Sequence, residues 1–219
     1  MITDKQKPDN PLNTDIYGIT AEEYSLGRSN IEVVAHMIEA GIKIIQYREK
    51  EKSDRQMYEE CLKIRKMTRV AGVTFIINDY VDLAMLVDAD GLHLGQDDLP
   101  PAAVKELVKG KMFIGLSTHS PTQAEAAVKL GVDYIGVGPI FATNTKKDVC
   151  NPVGLEYLEY VVNNIRLPFV AIGGIKEHNI TEVYRRGARC IALVTEIVGA
   201  TDIVAKVHSL RTAIKKLSS

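Results

Sequence analysis

The chain has 219 residues, which is enough for one domain with a full hydrophobic core. Its apolar fraction of 46% and charged fraction of 25% are typical of a globular protein. A formal net charge of −1, from 27 basic and 28 acidic residues, excludes a bulk attraction to nucleic acid or to an anionic membrane. An anion site must therefore come from a local cluster of basic residues.

Cysteine content and hydropathy bear on the location of the chain. Cys61, Cys150 and Cys190 are too few and too scattered for a disulfide framework, so a reducing cytoplasm is the expected location. The sequence has no apolar run of the ~18 residues that a membrane span needs, and no membrane partner is expected. Residues 1–14 are polar, and we expect a flexible tail there before a single catalytic domain over 15–219.

Short β-rich runs alternate with helical patterns along the chain. Strands are predicted at 15–20, 42–48, 74–78, 91–95, 112–117, 134–138, 168–174 and 190–195. Helices are predicted for the stretches "SNIEVVAHMIEAG", "SDRQMYEECLKIRKMTRVAG", "SPTQAEAAVKLG", "LEYLEYVVNNI", "KEHNITEVYRRG" and "TDIVAKVHSLRTAIKKL". In the first of these, Ile31, Val34, Ala35 and Ile38 are predicted to form the apolar face.

The alternation indicates the α/β class and a parallel sheet with right-handed crossovers. Eight such units in one domain of this length favour a (β/α)₈ TIM barrel. A doubly wound open sheet is the alternative, but its early strands would be expected to carry a GxGxxG turn, which this sequence lacks there.

The second predicted strand changes character along its length. Side chains alternate faces along a strand, so Ile42, Ile44, Gln46, Arg48 and Lys50 are expected to share one face. That face turns from apolar to cationic toward its C-terminal end. The pattern predicts an anion site at that end of the strand.

Residues suited to a binding site also follow the third to the eighth predicted strands. They are Asn78 and Asp79; Gln96, Asp97 and Asp98; Ser117, Thr118 and His119; Thr143, Thr145, Lys146 and Lys147; Gly173 and Gly174; and Val194 and Thr195. In a barrel the C-terminal ends of all strands meet on one face, where active sites lie. The sequence therefore predicts one polar site on that face.

Two kinds of chemistry are predicted at this face. Asp79, with either Asp97 or Asp98, forms a pair of carboxylates suited to Mg²⁺, which keeps waters and takes substrate phosphates as further ligands. The second is anion binding, at two separate places. Arg48, Lys50, Lys146 and Ser117 are expected at a polyphosphate, and the glycine turn after the seventh strand, with the end of the eighth, at another phosphate.

Each signal also has a purely structural interpretation. The cations after the second strand could pair with neighbouring acids on a wet surface, and the Asp97–Asp98 pair could cap a helix. His93 lies within a strand and is expected to be a satisfied core histidine. His119 is the histidine expected at the mouth, and Cys150 has no evident base partner and is expected to be inert. Convergence of the strand ends favours a functional site.

Several motifs match one family. "QYREK", "INDY", "GLHLGQDDL", "IGLSTHS", "YIGVGPIFATNTK", "PVGLE" and "AIGGI" resemble the thiamine phosphate synthase family, in the order of that family. The resemblance implies a TIM barrel that joins hydroxymethylpyrimidine diphosphate to hydroxyethylthiazole phosphate, giving thiamine phosphate and diphosphate. It implies Mg²⁺ as cofactor and small-molecule partners, and a homo-oligomer is compatible with it.

The resemblance also implies roles for individual residues. The pyrimidine diphosphate would contact Gln46, Tyr47, Arg48, Glu49, Lys50, Asn78, Ser117 and Lys146. The thiazole phosphate would contact Thr143, Asn144, Thr145, Gly174, Val194 and Thr195. Asp79 and Asp98 would bind Mg²⁺, the Gln-x-Asp pattern selecting Asp98. Arg48, Lys50, Ser117 and Lys146 would act in catalysis by stabilising the departing diphosphate in a dissociative, carbocation-like step.

Three features depart from the family pattern, and other functions stay open. Tyr80 stands where Arg is common after "ND", Thr195 stands where Ser is usual, and the start "DIYGITAEEYS" lacks the common Thr-Asp after the first strand. A thiazole tautomerase would use a mouth histidine such as His119. A non-catalytic phosphate-binding barrel would explain the glycine turn alone. A sugar-phosphate isomerase needs a carboxylate base apart from the metal pair.

Overall fold

The structure is a computed structural model, and it describes residues 10–143, 145 and 150–215. Parallel strands β1 to β8 pair in chain order and close into a barrel, with β8 returning to β1. The strands are β1 (Ile16–Ile19), β2 (Ile44–Tyr47), β3 (Thr74–Asn78), β4 (Gly91–Leu94), β5 (Phe113–Thr118), β6 (Tyr134–Val137), β7 (Phe169–Ala171) and β8 (Ile191–Leu193). This confirms the predicted (β/α)₈ TIM barrel and rejects the open sheet.

Helices connect the strands and surround the barrel. They are α1 (Asn30–Glu39), α2 (Asp54–Ala71), α3 (Val81–Leu86), α4 (Pro101–Val108), α5 (Pro121–Leu130), α6 (Gly154–Asn164), α7 (Ile180–Arg185), α8 (Thr195–Val198) and α9 (Ile203–Lys215), with a 3₁₀ turn at Glu22–Tyr24. Among the described residues, no helix is long and apolar enough to span a membrane. The helices α3, α4 and α8, which have 6, 8 and 4 residues, were not predicted.

Strand ends differ from the predictions at β7 and β8. The predicted seventh strand continued to Gly174, but Gly173 and Gly174 have φ values of +99° and +63°, which turn the chain out of the sheet. The predicted eighth strand included Thr195, which instead begins α8. Both differences shorten the strands at the face where the site was predicted.

The core has an inner and an outer layer. The inner layer fills the barrel with Leu12, Tyr17, Ile19, Ile44, Ile76, Tyr134, Val170, Cys190 and Ala192. Leu12 is 5% exposed although it lies in the segment expected to be a tail. Residues 1–9 lie outside the described residues, so the extent of that tail stays a prediction. The outer layer lies between the strands and the helices.

Two side-chain orientations were predicted wrongly. On α1, the predicted apolar residue Val34 is buried and Ile31 and Ile38 pack against the core, whereas Ala35 is exposed. Val33 and Met37, which were not predicted, are buried as well. Ile42 packs in the outer layer, because β2 begins only at Ile44 and the alternation of faces starts there.

Candidate active site

A cavity of about 880 Å³ opens at the C-terminal ends of the strands. Most of the predicted site residues line it. They are Gln46, Arg48, Lys50, Asn78, Asp79, Asp98, Ser117, Thr143, Thr145, Gly174, Val194 and Thr195. Asn144 and Lys146 lie outside the described residues, so their predicted roles are untouched by the geometry.

Tyr47 and Glu49 do not line the cavity, contrary to the expectation from the family motif. Strand alternation sends Gln46 into the barrel and Tyr47 toward the helices, where its hydroxyl donates to Glu60 Oε2 at 2.7 Å. Glu49 Oε2 accepts from Asn30 Nδ2 at 3.0 Å. The side chains of both residues therefore point away from the cavity. The expectation that they contact the pyrimidine diphosphate is corrected: they bond to residues behind the strand instead.

Glu49 supports the loop after β2. Its Oε1 accepts hydrogen bonds from the backbone N–H groups of Lys50 at 2.8 Å and Glu51 at 3.3 Å. Next to it, Lys52 Nζ contacts Glu22 at 2.5 Å and Glu60 at 2.9 Å. Burial alone would lower the pKa of Lys52, but hydrogen bonds to these two carboxylates raise it overall. The loop that carries Arg48 and Lys50 is thus anchored by a charged cluster.

The acidic pair forms between the ends of β3 and β4. Asp79 has a φ of +64°, a left-handed conformation that Asp tolerates better than most residues. Its Oδ2 accepts from Lys50 Nζ at 2.6 Å. Asp98 Oδ2 accepts from the Gly95 N–H at 2.6 Å, and its carboxyl is in hydrogen-bond contact with Asp79. Asp97 is exposed and also lines the cavity, but the carboxyl that contacts Asp79 is that of Asp98.

The pKa of Asp98 reflects this environment. Burial raises it, and the neighbouring Asp79 carboxylate raises it further, against the lowering effects of the Gly95 N–H and of Lys50. Two carboxylates in contact repel unless a proton or a cation lies between them. The unfavourable pairing is the structural sign of a site that suits a cation.

The residues present fit a magnesium ion. Among the described residues, no group of three or more His, Cys, Asp or Glu side chains could hold a metal. Asp79 and Asp98 offer two neighbouring carboxylates, and a Mg²⁺ ion held by them would take its further ligands from waters and phosphate oxygens, as this ion commonly does.

The opposite side of the cavity is built from the ends of β7 and β8. A Cβ on Gly174 would lie 2.5 Å from the Ala142 carbonyl oxygen, so only glycine allows the two loops to approach. Lys176 Nζ donates to Thr195 Oγ1 at 2.9 Å and lies 3.4 Å from Glu196. Lys176 was missed in the sequence, although a cation two residues after the "GG" turn was a usable signal.

Two histidines line the cavity, His119 as expected and His93 in addition to its expected place in the core. His93 is satisfied, as expected for a core histidine, with Nδ1 at 3.1 Å from Tyr134 Oη and Nε2 at 3.0 Å from Ser117 Oγ. It nevertheless lines the cavity, because β4 directs its side chain into the barrel. His119 also lines the cavity, and its Nδ1–H donates to the Gly138 carbonyl at 2.5 Å. Cys150 is exposed at the rim.

Fold and site together define the class of protein: a TIM barrel whose cavity carries cations, hydroxyls and a carboxylate pair at its C-terminal face, as enzymes of phosphorylated small molecules do. The family model for thiamine monophosphate synthase matches residues 16–197. The chain belongs to this family.

Individual relatives agree with the family. The thiamine-phosphate synthase of Pelotomaculum thermopropionicum is 79% identical over 94% of this chain and 94% of its own. That of Lawsonia intracellularis is 55% identical over 94% and 95%. The solved structure of thiamine phosphate pyrophosphorylase from Pyrococcus furiosus has a TM-score of 0.86 at 34% identity, covering 96% of this chain and 99% of that one. The chain is accordingly a transferase with small-molecule substrates, in a family that couples the pyrimidine and thiazole moieties of thiamine.

Proposed function

We propose that the chain couples hydroxymethylpyrimidine diphosphate to hydroxyethylthiazole phosphate in a Mg²⁺-dependent reaction that yields thiamine phosphate and diphosphate. The observation that supports this proposal is that one cavity is lined by two groups of polar residues, at the ends of different strands. Lys50, Asp79 and Asp98 lie at one end, and Gly174 and Thr195 lie at the other. Two phosphorylated substrates need such a pair of sites.

The diphosphate is proposed to bind at the end formed by β2 to β5. Arg48 and Lys50 would neutralise its charge, and Asn78 and Ser117 would donate hydrogen bonds. Asp79 and Asp98 would hold Mg²⁺, which when bound supplies further positive charge to the leaving group. Lys146 is proposed for the same role from its motif.

Chemistry follows from that charge distribution. The methylene carbon beside the electron-rich aminopyrimidine loses its C–O bond, and the electron pair leaves with the diphosphate. Arg48, Lys50 and Ser117 stabilise the growing negative charge, which is where most of the barrier lies. The thiazole nitrogen then forms the new C–N bond. No protein nucleophile is required.

The thiazole phosphate is proposed to bind at the other end. Gly174, Val194 and Thr195 form its walls, and Thr143 and Thr145, whose hydroxyls are 3.0 Å apart, lie at the loop above. Lys176 adds a cation that the family motif did not suggest. Asn144 is proposed here from its motif. Holding the ring over the carbon supplies the orientation that a bimolecular step needs.

A coupling assay tests the proposal. The protein is mixed with both substrates, in Mg²⁺ or in chelator, and thiamine phosphate is followed; product is expected only with the metal. Asp98→Asn should abolish this product, whereas the matched variant Asp97→Asn, which changes a second cavity-lining carboxylate that does not contact Asp79, should keep it. Equal turnover in chelator would overturn the magnesium site.

The same assay separates the alternatives. Absence of product from folded protein would reject the synthase and favour a thiazole tautomerase or a non-catalytic phosphate-binding barrel. A cytoplasmic location, a homo-oligomeric state and a catalytic domain over 15–219 stay expectations from the sequence.

A further inference from the structure

A chain of hydrogen bonds crosses the interior of the barrel beneath the cavity. Gln46 Nε2 donates to Tyr17 Oη at 2.9 Å, and Tyr17 Oη lies 3.1 Å from Tyr134 Oη. Tyr134 Oη lies 3.1 Å from His93 Nδ1, and His93 Nε2 lies 3.0 Å from Ser117 Oγ. The chain therefore joins β2, β1, β6, β4 and β5, and it ends at a hydroxyl that faces the cavity.

Packing leaves this chain little freedom. Gly115 lies between His93 and Tyr134 in the sheet register. A Cβ there would lie 2.2 Å from the Tyr134 ring and 2.5 Å from His93 Nδ1. The absence of a side chain at this position is what lets the phenol and the imidazole meet. Tyr17 and Tyr134 are 1% and 0% exposed, so water does not replace the partners that the structure shows.

The direction of the hydrogen bonds follows from Gln46. Its amide N–H donates to Tyr17 Oη, so Tyr17 cannot donate its own proton to that group. The Tyr17 hydroxyl therefore donates to its other neighbour, Tyr134 Oη. Tyr134 would then donate to His93 Nδ1, which lies 3.1 Å away. Burial raises the pKa of both tyrosines, which keeps these protons in place. The opposite direction would leave the buried Tyr17 proton without an acceptor in this arrangement, which is unfavourable for a hydroxyl that water does not reach.

We propose that this chain holds His93 in the neutral Nε2–H tautomer, so that His93 donates to Ser117 Oγ and the Ser117 proton is left to point into the cavity. The proposal deepens the proposed function and rests on it, because the group that receives the Ser117 proton is the diphosphate. His93 and Tyr134 are positioning residues in this account, and Ser117 makes the contact with substrate.

The direction of the hydrogen bond between His93 and Ser117 matters, because the Ser117 hydroxyl can turn either its proton or its lone pairs toward an anion. A Ser117 that donates toward the diphosphate gains strength as negative charge develops on it. A Ser117 that donates instead to His93 would turn its lone pairs toward the same oxygens and oppose that charge. The chain therefore selects the productive orientation before substrate arrives, without any proton transfer.

The first test reads the tautomer in the free protein, independently of activity. Protein labelled with ¹⁵N in histidine is compared with His93→Gln to assign the His93 ring nitrogens by NMR. We expect a protonated Nε2 and an unprotonated Nδ1 at neutral pH. A protonated Nδ1, alone or with Nε2, would overturn the proposal, because Gln46 would then have to accept from Tyr17 and the chain would run in reverse.

The second test uses a pair of buried tyrosines. Tyr134→Phe removes the donor to His93 while keeping the ring, and Tyr157→Phe removes a comparable hydroxyl that donates to Thr118 Oγ1 at 2.7 Å. Thr118 is next to Ser117 on β5 but faces the helices. Tyr134→Phe should lower kcat by about tenfold to a hundredfold, since it misdirects one donor in a preorganised site. KM should change little.

Tyr157→Phe should keep the wild-type kcat. Equal effects of the two tyrosine variants would reduce the role of Tyr134 to packing and overturn the proposal. His93→Gln, which places an amide donor near Ser117, should restore much of the rate that His93→Leu loses; no difference between these two would also count against it. If the wild-type protein gives no coupled product, the proposed function is contradicted. The ¹⁵N experiment would still test the tautomer of His93, because it does not depend on activity.

Discussion

Lys50 Nζ lies 2.6 Å from Asp79 Oδ2, so a cation proposed for the diphosphate already neutralises a carboxylate proposed for the metal. Lys50 Nζ also lies 5.7 Å from the centroid of the Tyr80 ring. The aromatic face therefore helps to hold the ammonium group beside Asp79. The free site is an internally compensated cluster, and ligands must rearrange its pairs.

Lys50→Met should separate metal binding from turnover. The change removes a positive charge beside Asp79, so the free protein should bind Mg²⁺ about fivefold to tenfold more tightly, since a unit charge at ~4 Å is worth at least about 1 kcal/mol. Turnover should fall, because the diphosphate loses a cation. Calorimetric titration with Mg²⁺ alone checks the first effect, and Lys63→Met, at an exposed position on α2, is the control. Weaker metal binding in Lys50→Met would contradict the competition between Lys50 and the metal.

Asp98→Asn should lower the coupling activity without lowering the free energy of unfolding. The pKa of Asp98 is raised by burial and then by Asp79, so its folded-state pKa lies above its unfolded value. Such a group favours folding below the unfolded pKa and loses that contribution as pH rises through the folded pKa. Without metal, the variant should therefore match or exceed the wild-type free energy of unfolding at neutral pH, and the difference should shrink in mild acid. Urea unfolding of both proteins at neutral pH and in mild acid measures this difference in free energy of unfolding. A variant that is clearly less stable than the wild type at neutral pH would contradict the repulsion between Asp79 and Asp98.

Two arginines on α2 offer a matched test of burial. Arg65 forms two hydrogen bonds with Asp90, at 2.7 and 2.8 Å, and is 6% exposed in its side chain. Arg69 pairs with Asp88 at the surface, where the side chains are 51% and 81% exposed. Arg65→Met leaves Asp90 without its cationic partner, with only the Phe75 N–H still donating to it, and should cost about 3–5 kcal/mol of unfolding free energy. Arg69→Met should cost about 0–1 kcal/mol. Chemical denaturation of both variants decides, and equal losses would mean that burial of the pair is unimportant.

Gly174→Ala should impair the thiazole end of the cavity. At φ +63° a new Cβ would lie 2.5 Å from the Ala142 carbonyl oxygen and would push the two loops apart. Gly72 has the same φ of +63° with nothing within 4 Å, so Gly72→Ala shares the backbone strain without the clash. Both variants should lose about 1 kcal/mol of stability from strain. Only Gly174→Ala should raise KM for the thiazole phosphate in steady-state kinetics; an equal KM in both would exclude the close approach as the cause.

The site was predictable where a motif and a strand end coincide. Gln46, Arg48 and Lys50 were expected on one face of β2, and all three line the cavity. The same alternation, applied strictly, would have turned Tyr47 and Glu49 away, but the family motif named the whole stretch. His93 was read as core because a strand residue is usually packed, and only its neighbours Tyr134 and Ser117 show that it also reaches the cavity.

The class of the fold, the order of its strands and the end of the barrel proposed for the site were predictable from local patterns, because hydrophobic periodicity and turn residues act over a few neighbouring positions. Which side chains meet at that end depends on long-range contacts. Lys50 and Asp79 are 29 positions apart, and Tyr17 and Tyr134 are 117 apart. Such contacts depend on closure of the barrel, which brings strand ends to one ring through pairing and packing that no local pattern records.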